Sequence, residues 1–155
     1  MDRISWCKNQ SKGIKLIGPN DNLSGQYYKN AEESMQVLRK ISITQSNVWL
    51  ATTKYYIEYF AVYSLLMKIG IKCEIHECTI ELVKLLEDRD LLEKGTSGNL
   101  EFDKKLRIDN QYYLEDRPVK INFEELSAFL LMIKEKLDNI SNEKIEEIRK
   151  DIKNC

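Results

Sequence analysis

The chain has 155 residues, 43% of them hydrophobic, enough for one core that closes without help from disulfides or metal. Its 24 basic residues nearly cancel its 25 acidic ones, so no strong overall field draws it to nucleic acid or anionic lipid, and any basic patch must be local. No apolar run approaches the ~20 residues of a membrane span, and Met1-Asp2-Arg3-Ile4-Ser5-Trp6 lacks the apolar core of a signal peptide, so the expectation is a soluble, cytoplasmic protein with no membrane contact.

Two prolines and six glycines leave long uninterrupted stretches in which apolar residues recur at intervals of three and four. That spacing predicts an all-α protein, an antiparallel bundle of about five to six helices with almost no room for strands. Residues 1–22 read as an N-terminal arm, 23–140 as the bundle and 141–155 as a charged C-terminal helix or tail. After the turn at Pro19-Asn20-Asp21-Asn22, Tyr28, Ala31, Met35, Leu38 and Ile41 align on a core-facing stripe.

The second predicted helix runs from Ser46, an N-cap, to Ile69, where Gly70 supplies the stop. Trp49, Tyr56, Phe60, Tyr63 and Met67 form one stripe and Tyr55, Tyr59, Val62 and Leu66 its neighbour, leaving Lys54, Glu58 and Lys68 on a narrow wet edge. So aromatic a helix is either the central core helix of a monomer or lends part of its surface to a second copy.

A third helix is expected near Glu74 to Glu87, with Ile75, Thr79, Leu82 and Leu86 aligned, followed by a polar, mobile loop over Lys94-Gly95-Thr96-Ser97-Gly98-Asn99. A fourth, from about Leu100 to Leu114, turns Phe102, Leu106 and Tyr113 inward and ends by Arg117, because Pro118 disfavours helical geometry before it. Asn122 and Glu125 resemble a capping box opening a fifth helix with the stripe Phe123, Leu126, Leu130, Ile133, Leu137 and Ile140. Ser141 caps a last charged segment carrying Ile145, Ile148 and Ile152 on a thin seam.

Cysteines at 7, 73, 78 and 155 are irregularly spaced, which predicts reduced thiols rather than a disulfide framework. Cys73, His76 and Cys78 crowd together, but structural zinc takes four ligands, so no metal and no other cofactor is expected. His76, the only histidine, is the one side chain whose ordinary pKa suits proton transfer near neutral pH, unless it merely packs or caps.

On the fourth helix Arg107, Asn110 and Gln111 fall three and four apart on one face. Guanidinium and amides so spaced can grip phosphate or ribose oxygens while Tyr112 stacks on a base. The competing reading is a surface ion pair from Asp103 to Arg107, worth a few tenths of a kcal/mol. No serine or cysteine triad, dinucleotide fingerprint or phosphate-binding loop is present.

Taken in order, Lys29-Asn30-Ala31-Glu32-Glu33-Ser34, Tyr59-Phe60-Ala61-Val62-Tyr63-Ser64-Leu65-Leu66, Gly70-Ile71-Lys72, His76, Thr79-Ile80 and Arg107-Ile108-Asp109-Asn110-Gln111-Tyr112-Tyr113 resemble the small stand-alone branch of the prokaryotic HEPN-domain proteins, over residues 24 to 138. The resemblance implies an antiparallel helical bundle that forms a homodimer, related to proteins encoded beside a minimal nucleotidyltransferase. Many members of the wider family are metal-independent ribonucleases whose motif is an arginine followed, after four to six residues, by a histidine at the dimer interface. Arg107 matches the arginine; Tyr112 or Tyr113 stands where the histidine should be, and a phenol of pKa ~10 is a poor proton shuttle at neutral pH.

The first functional expectation is therefore a non-catalytic HEPN module that binds RNA or nucleotide through Arg107, Asn110, Gln111 and Tyr112. The second is a toxin-like ribonuclease with an altered site, in which Arg107 steadies the phosphate and Tyr112 or His76 assists proton transfer. The third is a helical oligomerisation protein without a nucleic-acid role.

Overall fold

The computed structural model describes residues 2–155 and is an all-α bundle. In chain order it comprises α1 (Arg3–Asn9), β1 (Lys15–Leu16), α2 (Asp21–Ile41), α3 (Asn47–Ile69), β2 (Ile71–Lys72), α4 (His76–Asp88), α5 (Thr96–Gln111), α6 (Phe123–Asn139) and α7 (Asn142–Asn154), with a 3-10 turn over Ser42–Thr44. No helix among the described residues is long and apolar enough to cross a membrane.

Helix α3 is the axis on which the rest is built. From Ala61 to Met67 every residue is buried, and Ser46 caps the helix by accepting from Trp49 N–H while Gly70 ends it at φ 87°. Helix α2 lies antiparallel to it: Ser24 donates to the Ser64 carbonyl at 2.7 Å and Asp21 pairs with Lys68 at 2.9 Å. Fully buried Ala31 and Ala61 leave room for that approach. Helix α6 closes the bundle on α2, where the Tyr28 hydroxyl donates to the Leu130 carbonyl and the Arg39 guanidinium rests over Phe123. As its sequence requires, Asn122 accepts from Glu125 N–H at 3.1 Å, and Leu126, Leu130, Ile133 and Leu137 are buried.

The arm and the tail belong to this same core. Residues 3–9, expected to lie in an arm, form a helix that buries Ile4 and Cys7, and β1 pairs antiparallel with β2, Lys15 opposite Lys72 and Leu16 opposite Ile71. The seam of α7 docks, with Ile145, Ile148 and Ile152 buried, and Arg149 Nη1 donates to the carbonyls of Ile17, Ile69 and Gly70.

Three expectations need correction. Cys7 and Cys78 are joined by a disulfide between α1 and α4, whereas Cys73 and Cys155 are free thiols. Reduced thiols were expected because spacing along the chain carries no sign that α1 lies against α4; closing a 71-residue separation stabilises by about 4 kcal/mol on loop-closure entropy. The stretch expected to be a polar loop at 94–99 instead opens α5 at Thr96, since buried Glu87 of α4 accepts from Ser97 N–H at 2.5 Å and so caps the helix from outside. Phe102 and Tyr113 do not turn inward: they are 57% and 69% exposed, and α5 buries Leu100, Asp103, Leu106, Asp109 and Asn110 instead.

Candidate functional site

The sequence-derived site residues separate into two groups. Arg107 and His76, from α5 and α4, converge on α3, whereas Asn110 and Tyr112 do not join them. The Arg107 guanidinium lies over the faces of Tyr55 and Tyr56, 5.0 and 5.8 Å from their ring centres. Its Nη1 donates to Gln111 Oε1 at 3.2 Å, and its Nε is buried with no hydrogen-bond partner. The expected ion pair with Asp103 does not form, because Asp103 is held by Lys54 of α3 at 2.8 Å while the guanidinium lies over the tyrosines. Among the described residues no carboxylate neutralises Arg107.

His76 lies beyond Tyr55 from that cation. The Tyr55 hydroxyl is 2.7 Å from Nδ1 and 2.9 Å from Nε2 of His76, and the Tyr55 and Tyr59 rings flank the imidazole at 5.5 and 5.7 Å. Burial first, then the positive charges of Lys104 and Arg107, lower its pKa from 6.5 to about 4, against an opposing pull from Glu77. The imidazole is therefore neutral at pH 7. Because the folded value lies below the unfolded one, this histidine contributes stability that is present above pH 6.5 and is lost as the pH falls through about 4. The His76 Cε1–H resonance of the folded protein should titrate with a midpoint near 4; a midpoint at 6.5 would mean that the imidazole is solvated and the cluster open.

Asn110 has a different task. Its side chain is buried, donates to the Arg117 carbonyl at 3.0 Å and accepts from Arg117 N–H at 2.5 Å, clamping the turn after α5. Arg117 in turn binds Asp109 at 2.6 Å, and Asn47 of α3 bonds Asp116 and Val119. These ties hold Leu114 and Asp116 at positive φ and leave Tyr112 66% exposed, without a hydrogen bond to Arg107 or His76. Polar spacing put Asn110 beside Arg107 in the sequence; burial puts its amide on the backbone. Tyr55 and Tyr56, which the sequence placed among core aromatics, are the side chains that meet Arg107.

A second concavity opens between α3, α5 and α6, with a volume of about 980 Å³ and a wall that includes Leu106, Leu126, Phe129 and Met132. At its α3–α5 side Lys54 Nζ reaches both Asp103 oxygens, at 2.8 and 3.0 Å, and lies 3.8 Å from Glu58. Asp103 and Glu58 are both buried, so the wet edge expected at Lys54 and Glu58 is an internal ionic cluster. Burial, reinforced by hydrogen bonding to Asp103 and repulsion from it, raises the Glu58 pKa well above the usual carboxylate range and outweighs Lys54. Their i, i+4 spacing on α3 was legible; Asp103 approaching from α5 was not.

The cysteines near His76 do not act as a ligand set with it: Cys78 is in the disulfide, and Cys73 is buried, with its thiol pKa raised by burial. Compared with known proteins, the chain matches no family model and no curated protein.

Proposed function

We propose that this chain is a HEPN-like module, without catalytic activity of its own, that binds the phosphate of an RNA or nucleotide at Arg107. The observation that carries the reading is a guanidinium laid across two tyrosine rings, with no carboxylate to cancel it. A cation held in that way is oriented by the rings and keeps donors free for phosphate oxygens, while Tyr56, 37% exposed, offers a stacking surface. Lys104 adds a second positive charge beside it. The homodimer and the nucleotidyltransferase partner implied by the family resemblance belong to the same proposal, with exposed Trp49 of α3 on the surface a second copy would cover.

Anisotropy of a labelled single-stranded RNA oligonucleotide, titrated across a salt series, tests this reading. Binding should strengthen as salt falls, and Arg107→Ala should weaken it about tenfold and reduce the salt slope by about one contact. Absence of binding even at low salt would instead favour the oligomerisation protein. The ribonuclease reading is kept because His76 stands beside Arg107 across Tyr55, where a neutral imidazole can accept a proton. RNA cleavage in chelator that is lost in Arg107→Ala would replace the binding module with that enzyme, and His76, rather than the exposed Tyr112, would then be the proton acceptor.

A further inference from the structure

We infer that a single RNA strand crosses α3 on a strip of aromatic rings, with a phosphate held at Arg107 and successive bases laid on Tyr56, Phe60 and Tyr27. The inference rests on the phosphate reading of Arg107 and extends it from one phosphate to a path. Its basis is what lies beside the cation. Tyr56 lies under the guanidinium, Phe60 follows about one turn later on α3, and Tyr27 of α2 continues the line, with ring centres 5.7 and then 6.3 Å apart. None of the three is buried: Tyr56 is exposed, and Phe60 and Tyr27 are half-buried.

The spacing selects the kind of nucleic acid. Nucleotides on one strand of a duplex advance by only ~3.4 Å each, so bases that meet rings 5.7 and 6.3 Å apart have to be unstacked and splayed, which a single strand allows. Neighbouring ring planes differ by 32° and 38°, so the strand is not forced to reverse between them. A ring offers the same π-contact to every base, and the strip is therefore tolerant of sequence.

Charge decides between a nucleic acid and a second protein as the occupant. The Arg107 Nε is buried without a partner. At His76, which adjoins the strip through Tyr59, the fields of Lys104 and Arg107 each outweigh that of Glu77. A second copy laid over the strip would have to bury this positive edge or bring a carboxylate to it, whereas a strand brings a phosphate with every base.

Displacement of a labelled single-stranded oligouridylate tests the path, with 5′-phosphorylated uridine mono-, di- and trinucleotides and a blunt RNA duplex as competitors. The trinucleotide should bind at least about tenfold more tightly than the mononucleotide, and the duplex at least about tenfold more weakly than a single strand of its own length. Tyr27→Leu, which keeps an apolar side chain against the core, should reduce the gain with length and leave mononucleotide affinity unchanged, a sign that the variant is folded. Affinity that does not grow with length, equal binding of the duplex, or a gain that survives both Tyr27→Leu and Phe60→Leu would each overturn the inference, even where Arg107→Ala weakens binding and the phosphate reading stands. RNA binding indifferent to Arg107→Ala would overturn the phosphate reading and the path with it. Conversion of a dimer to a monomer by Tyr27→Leu, seen by light scattering, would assign the strip to a second copy instead. The length series and the duplex comparison are made on wild type and decide the question whatever the variants' stability.

Discussion

Gly70→Ala should lower the stability of the protein by about 3 kcal/mol, read as a drop of about 6–12 °C in Tm. Two costs combine. The residue sits at φ 87°, which an L side chain adopts only with strain, and an added Cβ would lie 2.5 Å from the Ile17 carbonyl oxygen and from Arg149 Nη1, and 2.8 Å from Pro19 N. Those neighbours are the connections between α3, the N-terminal segment and α7: Gly70 accepts from Ile17 N–H at 2.9 Å and from Arg149 at 2.9 Å. Backbone has to move to admit the methyl group, and the β1–β2 pairing and the docking of α7 move with it. Gly98→Ala, at a helical position where an added Cβ meets nothing within 4 Å, is the control and should be neutral or stabilising by about 0.5 kcal/mol. Urea denaturation of both variants decides it; a Gly70→Ala midpoint equal to that of wild type would show that the junction yields freely.

Lys54→Met should cost a similar amount, about 3 kcal/mol, because it strips a buried carboxylate of its counter-ion. The Asp103 side chain is only 4% exposed and takes both of its strong hydrogen bonds from Lys54. Left alone, it must shed its charge or draw water into the cleft. Adding Asp103→Asn to Lys54→Met should recover most of the loss, since no uncompensated charge then remains, and a double-mutant cycle measures that coupling directly. Additive losses, with no recovery in the double variant, would mean that the two side chains are solvated and that the cleft wall is not the ionic cluster described.

Much of the helical architecture was legible before any coordinates, for reasons of periodicity and capping. The stripe of α2, the span of α3 from Ser46 to Gly70, and the Asn122 and Ser141 caps all follow from local chemistry, in which a side-chain oxygen reaches a backbone N–H three residues on. Arg107 and His76 were legible as residues with suitable chemistry, though not as neighbours. Their meeting over Tyr55 depends on how α4 and α5 each cross α3, and nothing in the spacing of residues 76 and 107 encodes that crossing.

The readings that failed did so where a residue's surroundings come from another element. Glu58 looks solvent-facing at i+4 from Lys54 until α5 brings Asp103 over both. Thr96–Asn99 looks like loop until Glu87 of α4 caps it, and Phe102 looks inward until Arg117 settles 5.9 Å above its exposed ring. Cys7 and Cys78 look unrelated until α1 lies along α4. By itself the sequence determined that α2, α3, α4, α6 and α7 are helical and which faces of α2 and α6 are apolar, because those properties arise within a few residues along the chain. Only the tertiary structure decided which charges are buried, which thiols meet and which cation stands free, because burial, pairing and pKa depend on neighbours that the chain supplies from far away.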